Sequence, residues 1–141
     1  MTASQWMLHP QLAADTHPVI SLPLCDVQLM DDAHYPWLVL VPRIADAVEW
    51  LDLADSDRHR LLDEVTRAGN ALRQLHSPDK LNIAALGNVV AQLHVHVVAR
   101  FHTDAAWPRP VWGATAARHY DAVQRAACIG RLARALSLRD D

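Results

Sequence analysis

The sequence predicts an α+β domain, an antiparallel sheet with one long helix packed on it and a second helix toward the C-terminal end. Three observations lead there: short aliphatic runs separated by brief turn segments, a single long stretch of helical period between them, and no strand–helix–strand alternation that would call for a parallel sheet. The 141 residues, 51% of them hydrophobic, suffice for one core, so a single domain over 1–141 is expected.

In chain order, His9-Pro10 and Asp15-Thr16 mark the ends of a short helix. Val19 to Met30 is rich in Val, Ile and Leu and is interrupted by Pro23; it reads as one or two strands with the proline at an edge or bulge. Asp31 to His34 is a turn, and Trp37 to Val41 (WLVLV), stopped by Pro42, reads as a buried central strand. Asp46 to Leu53 has room for a helical turn. From Asp55 or Ser56, either of which can act as N-cap, Leu61, Leu62, Val65, Ala68, Leu72 and Leu75 recur at three- and four-residue steps. That face belongs to one helix running to about His76, ended by Ser77-Pro78-Asp79. Lys80 to Leu86 is the next strand, Gly87-Asn88 a tight turn, and Val89 to Phe101 a strand that carries histidines. Ala106 to Gly113 is an aromatic, proline-rich loop. Ala116 to Leu136 is a helix that Gly130 weakens or bends, and Arg139 to Asp141 is expected to fray.

Net charge is −3, which argues against a nucleic-acid binder working through a basic surface. It does not exclude a small phosphorylated ligand, which needs only a few local donors. Cys25 and Cys128 form no CxxC pair and cannot make a disulfide scaffold. No basic-then-apolar leader opens the chain, Met1 to Gln5 being polar, and the longest apolar run is far too short to span a bilayer. The expectation is a cytoplasmic protein with reduced thiols and with neither nucleic acid nor membrane as partner.

The most informative stretch is Gln92 to Arg100, QLHVHVVAR. Gln92, His94 and His96 alternate with Leu93, Val95 and Val97. On a strand the polar three line one face and the aliphatic three bury the other. Alternation by itself suits any half-solvated sheet. His-x-His also presents two ligands to a zinc ion, but Gln92 is a poor third, and His102 would have to reach back from beyond the strand. A third reading is covalent catalysis. A neutral imidazole has a free lone pair that can attack phosphorus, and phosphoryl transfer asks a protein mainly for positioning and charge stabilisation.

Read as His-φ-His-φ-His-φ-φ, with φ hydrophobic, Gln92 to Val98 resembles the motif of the histidine triad (HIT) superfamily of nucleotide hydrolases and transferases. The likeness extends to LPLCDVQLMDDAHYPWLVLVPR (Leu22–Arg43), KLNIAALGNVVAQLHVHVVARF (Lys80–Phe101) and AWPRPVWG (Ala106–Gly113), which look like a bacterial branch, and it covers about residues 17 to 113. The resemblance implies a HIT-like fold, no metal and no cofactor, and a homodimer with a joint sheet. It implies His94 as the nucleophile on an α-phosphate, His96 as a donor to phosphate oxygens, and Gln92 where most members carry histidine. It also implies nucleotide contacts from Asp31 or Asp32 (ribose), Asn82 and Asn88 (phosphate). The position after Asn88 often carries Ser or Thr and here is Val89.

These residues have other readings. Asp31 and Asp32 are turn residues in any fold, and Asn88 beside Gly87 is a usual turn pair. Asn82 is disfavoured in a strand, which points to a functional or hydrogen-bonding role. An amide donates a hydrogen bond but supplies no proton, so Gln92 costs about 10²–10⁴ in rate if its position gives acid–base help and little if it only positions. A nucleotide-binding module with little turnover is therefore the alternative to an enzyme. Trp107 and Trp112 are candidates to close over a base or to pack against a partner.

Overall fold

The computed structural model describes residues 5–138; Met1 to Ser4 of the polar start and the expected frayed end Arg139–Asp141 lie outside them. The chain runs α1 (Pro10–Asp15), β1 (Thr16–Ser21), β2 (Cys25–Met30), β3 (Trp37–Pro42), a 3₁₀ turn (Trp50–Asp52), α2 (Asp55–His76), β4 (Lys80–Ala84), β5 (Val95–Arg100) and α3 (Ala122–Ser137). The five strands form one antiparallel sheet in the order β1-β2-β3-β5-β4. The predicted α+β class, with its antiparallel sheet and long helix, is what the chain adopts.

Pattern fixes the two faces. Leu38 and Leu40 of β3, with Val95, Val97 and Ala99 of β5, point to the core under α2 and α3, where Leu61, Val65, Ala68 and Leu72 meet them. Trp37, Val39, Val41 and Val98 point to the other face, covered by Leu12 of α1, Val90, Ala106 and Val111. β3 is buried on both faces, which is why it reads as unbroken apolar sequence. Glu64, buried on α2, accepts the backbone N–H groups of Leu24 and Cys25 at 2.9 and 2.8 Å and so ties α2 to the β1–β2 connection.

Several boundaries differ from expectation. Pro23 lies in the connection between β1 and β2, where its missing N–H costs no ladder bond. The N-cap of α2 is Ala54, without a side-chain bond; Asp55 and Asp57 instead sit in the first turn, complementing the helix dipole. α3 begins at Ala122 because Asp121 caps it, accepting from Gln124 N at 2.8 Å. Just before it, the backbone of Arg118 and Tyr120 is held by the carboxylates of Asp32 and Asp31. Gly87-Asn88 is not a tight turn: residues 85–94 form an irregular connection drawn onto the second face by buried Val90. Gly87 sits in it at φ +73°, a conformation glycine adopts without strain. Among the described residues no helix is long and apolar enough to cross a membrane.

Candidate active site

β5 opens at Val95, so Gln92 and His94 precede the ladder rather than lie within it. The alternation nevertheless holds. Leu93, anchored by its N–H to Ala47 O at 2.9 Å, joins the core of the first face with Val95 and Val97. His94 and His96 line a cleft of about 410 Å³ on the second face. α1 supplies one wall through Gln11, Leu12 and Asp15; the 85–94 connection supplies another through Leu86, Asn88, Val89 and Val90; Met30, Trp37 and Trp112 complete it.

The two imidazoles are set in opposite tautomers. His94 Nδ1 lies 2.7 Å from the backbone oxygen of Gln92, and a carbonyl only accepts, so Nδ1 carries the proton and Nε2 the lone pair. Trp37 Nε1 donates to His96 Nδ1 at 2.9 Å, and an indole only donates, so the proton of His96 is on Nε2. The rings meet edge to face with centroids 4.9 Å apart, and Trp112 packs on His96 at 5.1 Å. Burial, and then the neighbouring His94, lower the pKa of His96 to about 4, so it is neutral near pH 7. The floor of the cleft thus offers one nitrogen nucleophile and one N–H donor.

Asn88 is exposed on the wall of this cleft, with Val89 beside it. Gln92 is not among the lining residues. Its Oε1 accepts from His9 N and its Nε2 donates to Met7 O, both at 2.8 Å. Asn82 is not there either. It faces the same side as His96, but its Oδ1 accepts from Arg100 at 2.8 Å. Arg100 is 1% exposed, bonds both oxygens of Asp104 and the carbonyl of Arg109, and lies under Tyr35 and Trp107. Burial works against ionisation of Asp104, but Arg100 and the backbone N–H groups of Phe101 and Trp107 outweigh it and hold the carboxyl at about 2. Trp107 therefore belongs to this knot, and Trp112 to the cleft.

Asp31 lines an adjoining pocket of about 270 Å³ with Asp32 and His119; that pocket shares Asp15, Met30, Trp37 and Trp112 with the histidine cleft. Its carboxylate accepts from Tyr120 N at 3.0 Å and from His119 Nδ1 at 2.8 Å. Asp32 accepts from the backbone and ring of His34. His102 points away from the cleft, beside Trp107 and Asp79. No group of three His, Cys, Asp or Glu side chains among the described residues is arranged to hold a metal ion.

Sequence reasoning missed Trp37 as a partner of His96 and α1 as a wall. One signal for the first was present: an indole in a buried strand needs an acceptor for its N–H.

A HIT domain family model matches residues 11–103. The chain is similar to a histidine triad protein from Bradyrhizobium japonicum, with 48% identity, covering 94% of this chain and 98% of that one, at a TM-score of 0.91. A histidine triad protein from Marinobacter aquaeolei VT8 shows 41% identity, 94% and 97% coverage and a TM-score of 0.92. One from Sinorhizobium meliloti 1021 shows 38%, 92% and 96%, and 0.89. No curated protein matches the chain.

Proposed function

This chain belongs to the HIT domain family, and we propose that it is a nucleotide hydrolase or nucleotidyl transferase. It acts at the α-phosphate of a nucleoside phosphoramidate or dinucleoside polyphosphate, through a covalent nucleotidyl-His94. The observation that carries the reading is the pair of opposite tautomers on the floor of one cleft. The lone pair of His94 Nε2 forms the N–P bond. The bond from phosphorus to the leaving group breaks, and the leaving group takes its electron pair, an amine also taking a proton from solvent. As the ring becomes positive, its Nδ1–H bond to the Gln92 carbonyl strengthens. His96 Nε2–H donates to a phosphate oxygen. Water or another acceptor then attacks phosphorus and gives up its proton to solvent, the N–P bond breaks, and its electron pair returns to Nε2. In this reading Asn88, on the cleft wall, contacts the phosphate and Asp31, in the adjoining pocket, the ribose; their lining positions support it. A homodimer belongs to the same reading, and light scattering measures it.

The test is nucleotide release from both substrate types, with trapping and mass analysis of the protein. A nucleotide mass on His94, and a loss of at least about 10³-fold in His94→Ala, are expected. An adduct on another residue, or full activity of that variant, overturns the assignment. A second reading, a nucleotide-binding module with little turnover, is favoured by the Gln92 amide being spent on backbone groups and by Val89, which lacks a hydroxyl. Calorimetric binding of a nucleoside monophosphate without turnover on either substrate selects it.

A further inference from the structure

Gln92 holds the first position of the motif, yet both ends of its amide are used by the N-terminal segment. It accepts from His9 N and donates to Met7 O, each at 2.8 Å, across more than eighty residues of sequence. Its own backbone oxygen is the acceptor for His94 Nδ1. The segment it holds leads directly into α1. His9 is the N-cap of that helix, its Nδ1 accepting from Gln11 N at 3.0 Å, and Gln11, Leu12 and Asp15 form a wall of the cleft. Leu12 is buried in the second-face core with Trp6 and Leu8 packed against it. An amide suits this task because its donor and acceptor sit side by side and can answer a backbone N–H and C=O two residues apart. A neutral imidazole carries donor and acceptor on nitrogens that point away from each other.

We propose that Gln92 is a positioning residue whose side chain latches Met7–His9 and thereby closes the α1 wall of the nucleotide cleft, the position having no proton-donor role. The proposal deepens the reading above and rests on it. Two independent perturbations address the latch. Gln92→Ala removes the amide. His9→Pro removes the N–H that Gln92 accepts, at a residue whose φ of −54° already suits proline. His9→Ala keeps that N–H but, like the proline, loses the imidazole that caps Gln11 N, and is the control.

The readouts are hydrogen exchange over residues 7–13, calorimetric affinity for a nucleoside monophosphate, and KM and kcat with a substrate that is turned over. Gln92→Ala is expected to speed exchange of the segment about 10–100-fold, the worth of two hydrogen bonds. Affinity should weaken and KM rise about 5–10-fold, with kcat changed less than about threefold, because the carbonyl that orients His94 remains. His9→Pro reproduces this pattern and His9→Ala does not, so the proposal stays testable if one variant fails to fold. Gln92→His loosens the segment like Gln92→Ala and adds no ionisation to the pH–rate profile.

Unchanged exchange and affinity in both Gln92→Ala and His9→Pro overturn the latch. A gain in kcat for Gln92→His, with unchanged KM and a new limb near the pKa of imidazole, overturns it in favour of an acid role. If no nucleotide binds the wild-type protein, the reading of the cleft falls and takes this proposal with it; the exchange data then show separately whether the segment is held.

Discussion

Trp37→Phe isolates what sets the chemistry of His96. The indole N–H confronts Nδ1, so the tautomer with its proton on Nδ1 would place two donors face to face in a buried site. Leaving both unsatisfied costs about 1–3 kcal/mol, which holds the wrong tautomer below roughly 15%. Phenylalanine removes that bias and leaves the ring's intrinsic preference, which also favours Nε2–H. The fraction of His96 presenting N–H to the cleft stays above about half, so tautomer choice alone lowers kcat/KM by less than about twofold. Removing the donor altogether, as in His96→Ala, costs about 10²–10³ in kcat. Protonation of His96 in the wild type also breaks the Trp37 bond, worth about 1 kcal/mol or 0.7 pH unit. The pKa of His96, about 4 in the native protein, therefore rises in Trp37→Phe, and the ring's titration moves up with it. Nitrogen-15 NMR of the imidazoles reads the tautomers directly, with a matched pH–rate series for both proteins. A native spectrum with the proton of His96 on Nδ1, or a folded Trp37→Phe as inactive as His96→Ala, refutes the reasoning.

Two further outcomes concern stability. Arg100→Met leaves Asp104 buried without its cation and strips Asn82 and the Arg109 carbonyl of their donor; a loss of about 3–5 kcal/mol in urea unfolding is expected, and a loss under about 1 kcal/mol would show the knot to be dispensable. His96 and His76 both have pKa values lowered below 6.5, each mainly by burial, so the unfolded chain takes up protons before the folded one. Their contribution is present above about pH 6.5 and is lost as pH falls from there toward 4, about 3 kcal/mol of it from His96. Asp104, held at about 2, is shifted in the same direction, so its contribution is also lost on acidification, but only as pH falls below its ordinary value of 3.8. Flat stability between pH 7 and 4.5 contradicts this.

The period-two and helical patterns carried most of the architecture. WLVLV marked β3 as buried on both faces, and the apolar steps from Leu61 to Leu75 marked α2, because burial of those side chains is what makes the elements form. His94 and His96 were legible for the same reason, a polar pair set against Leu93, Val95 and Val97. The ends of elements were less legible, since partners distant in sequence decide them: the carboxylates of Asp31 and Asp32 take the backbone ahead of α3, and Val90 draws the 85–94 connection onto the sheet. The same limit applied to the site. Asn82 was read as a functional or hydrogen-bonding residue, and only packing reveals that its Oδ1 accepts from Arg100. Gln92 looked like a group facing a ligand, and only the return of Met7–His9 to its side shows where its amide goes.

The Arg100 knot also bears on how a ligand is accommodated. Arg100 closes the strand that carries His96 and grips Asp104 and the Arg109 carbonyl, three residues before Trp112. The strand that bears His96 and the loop that leads to Trp112 are thereby tied together, and hinging between them would tear a buried ion pair. Adjustment to a ligand's shape therefore falls to the other sides, α1 and the stretch around Gly87, which the ion pair does not tie down.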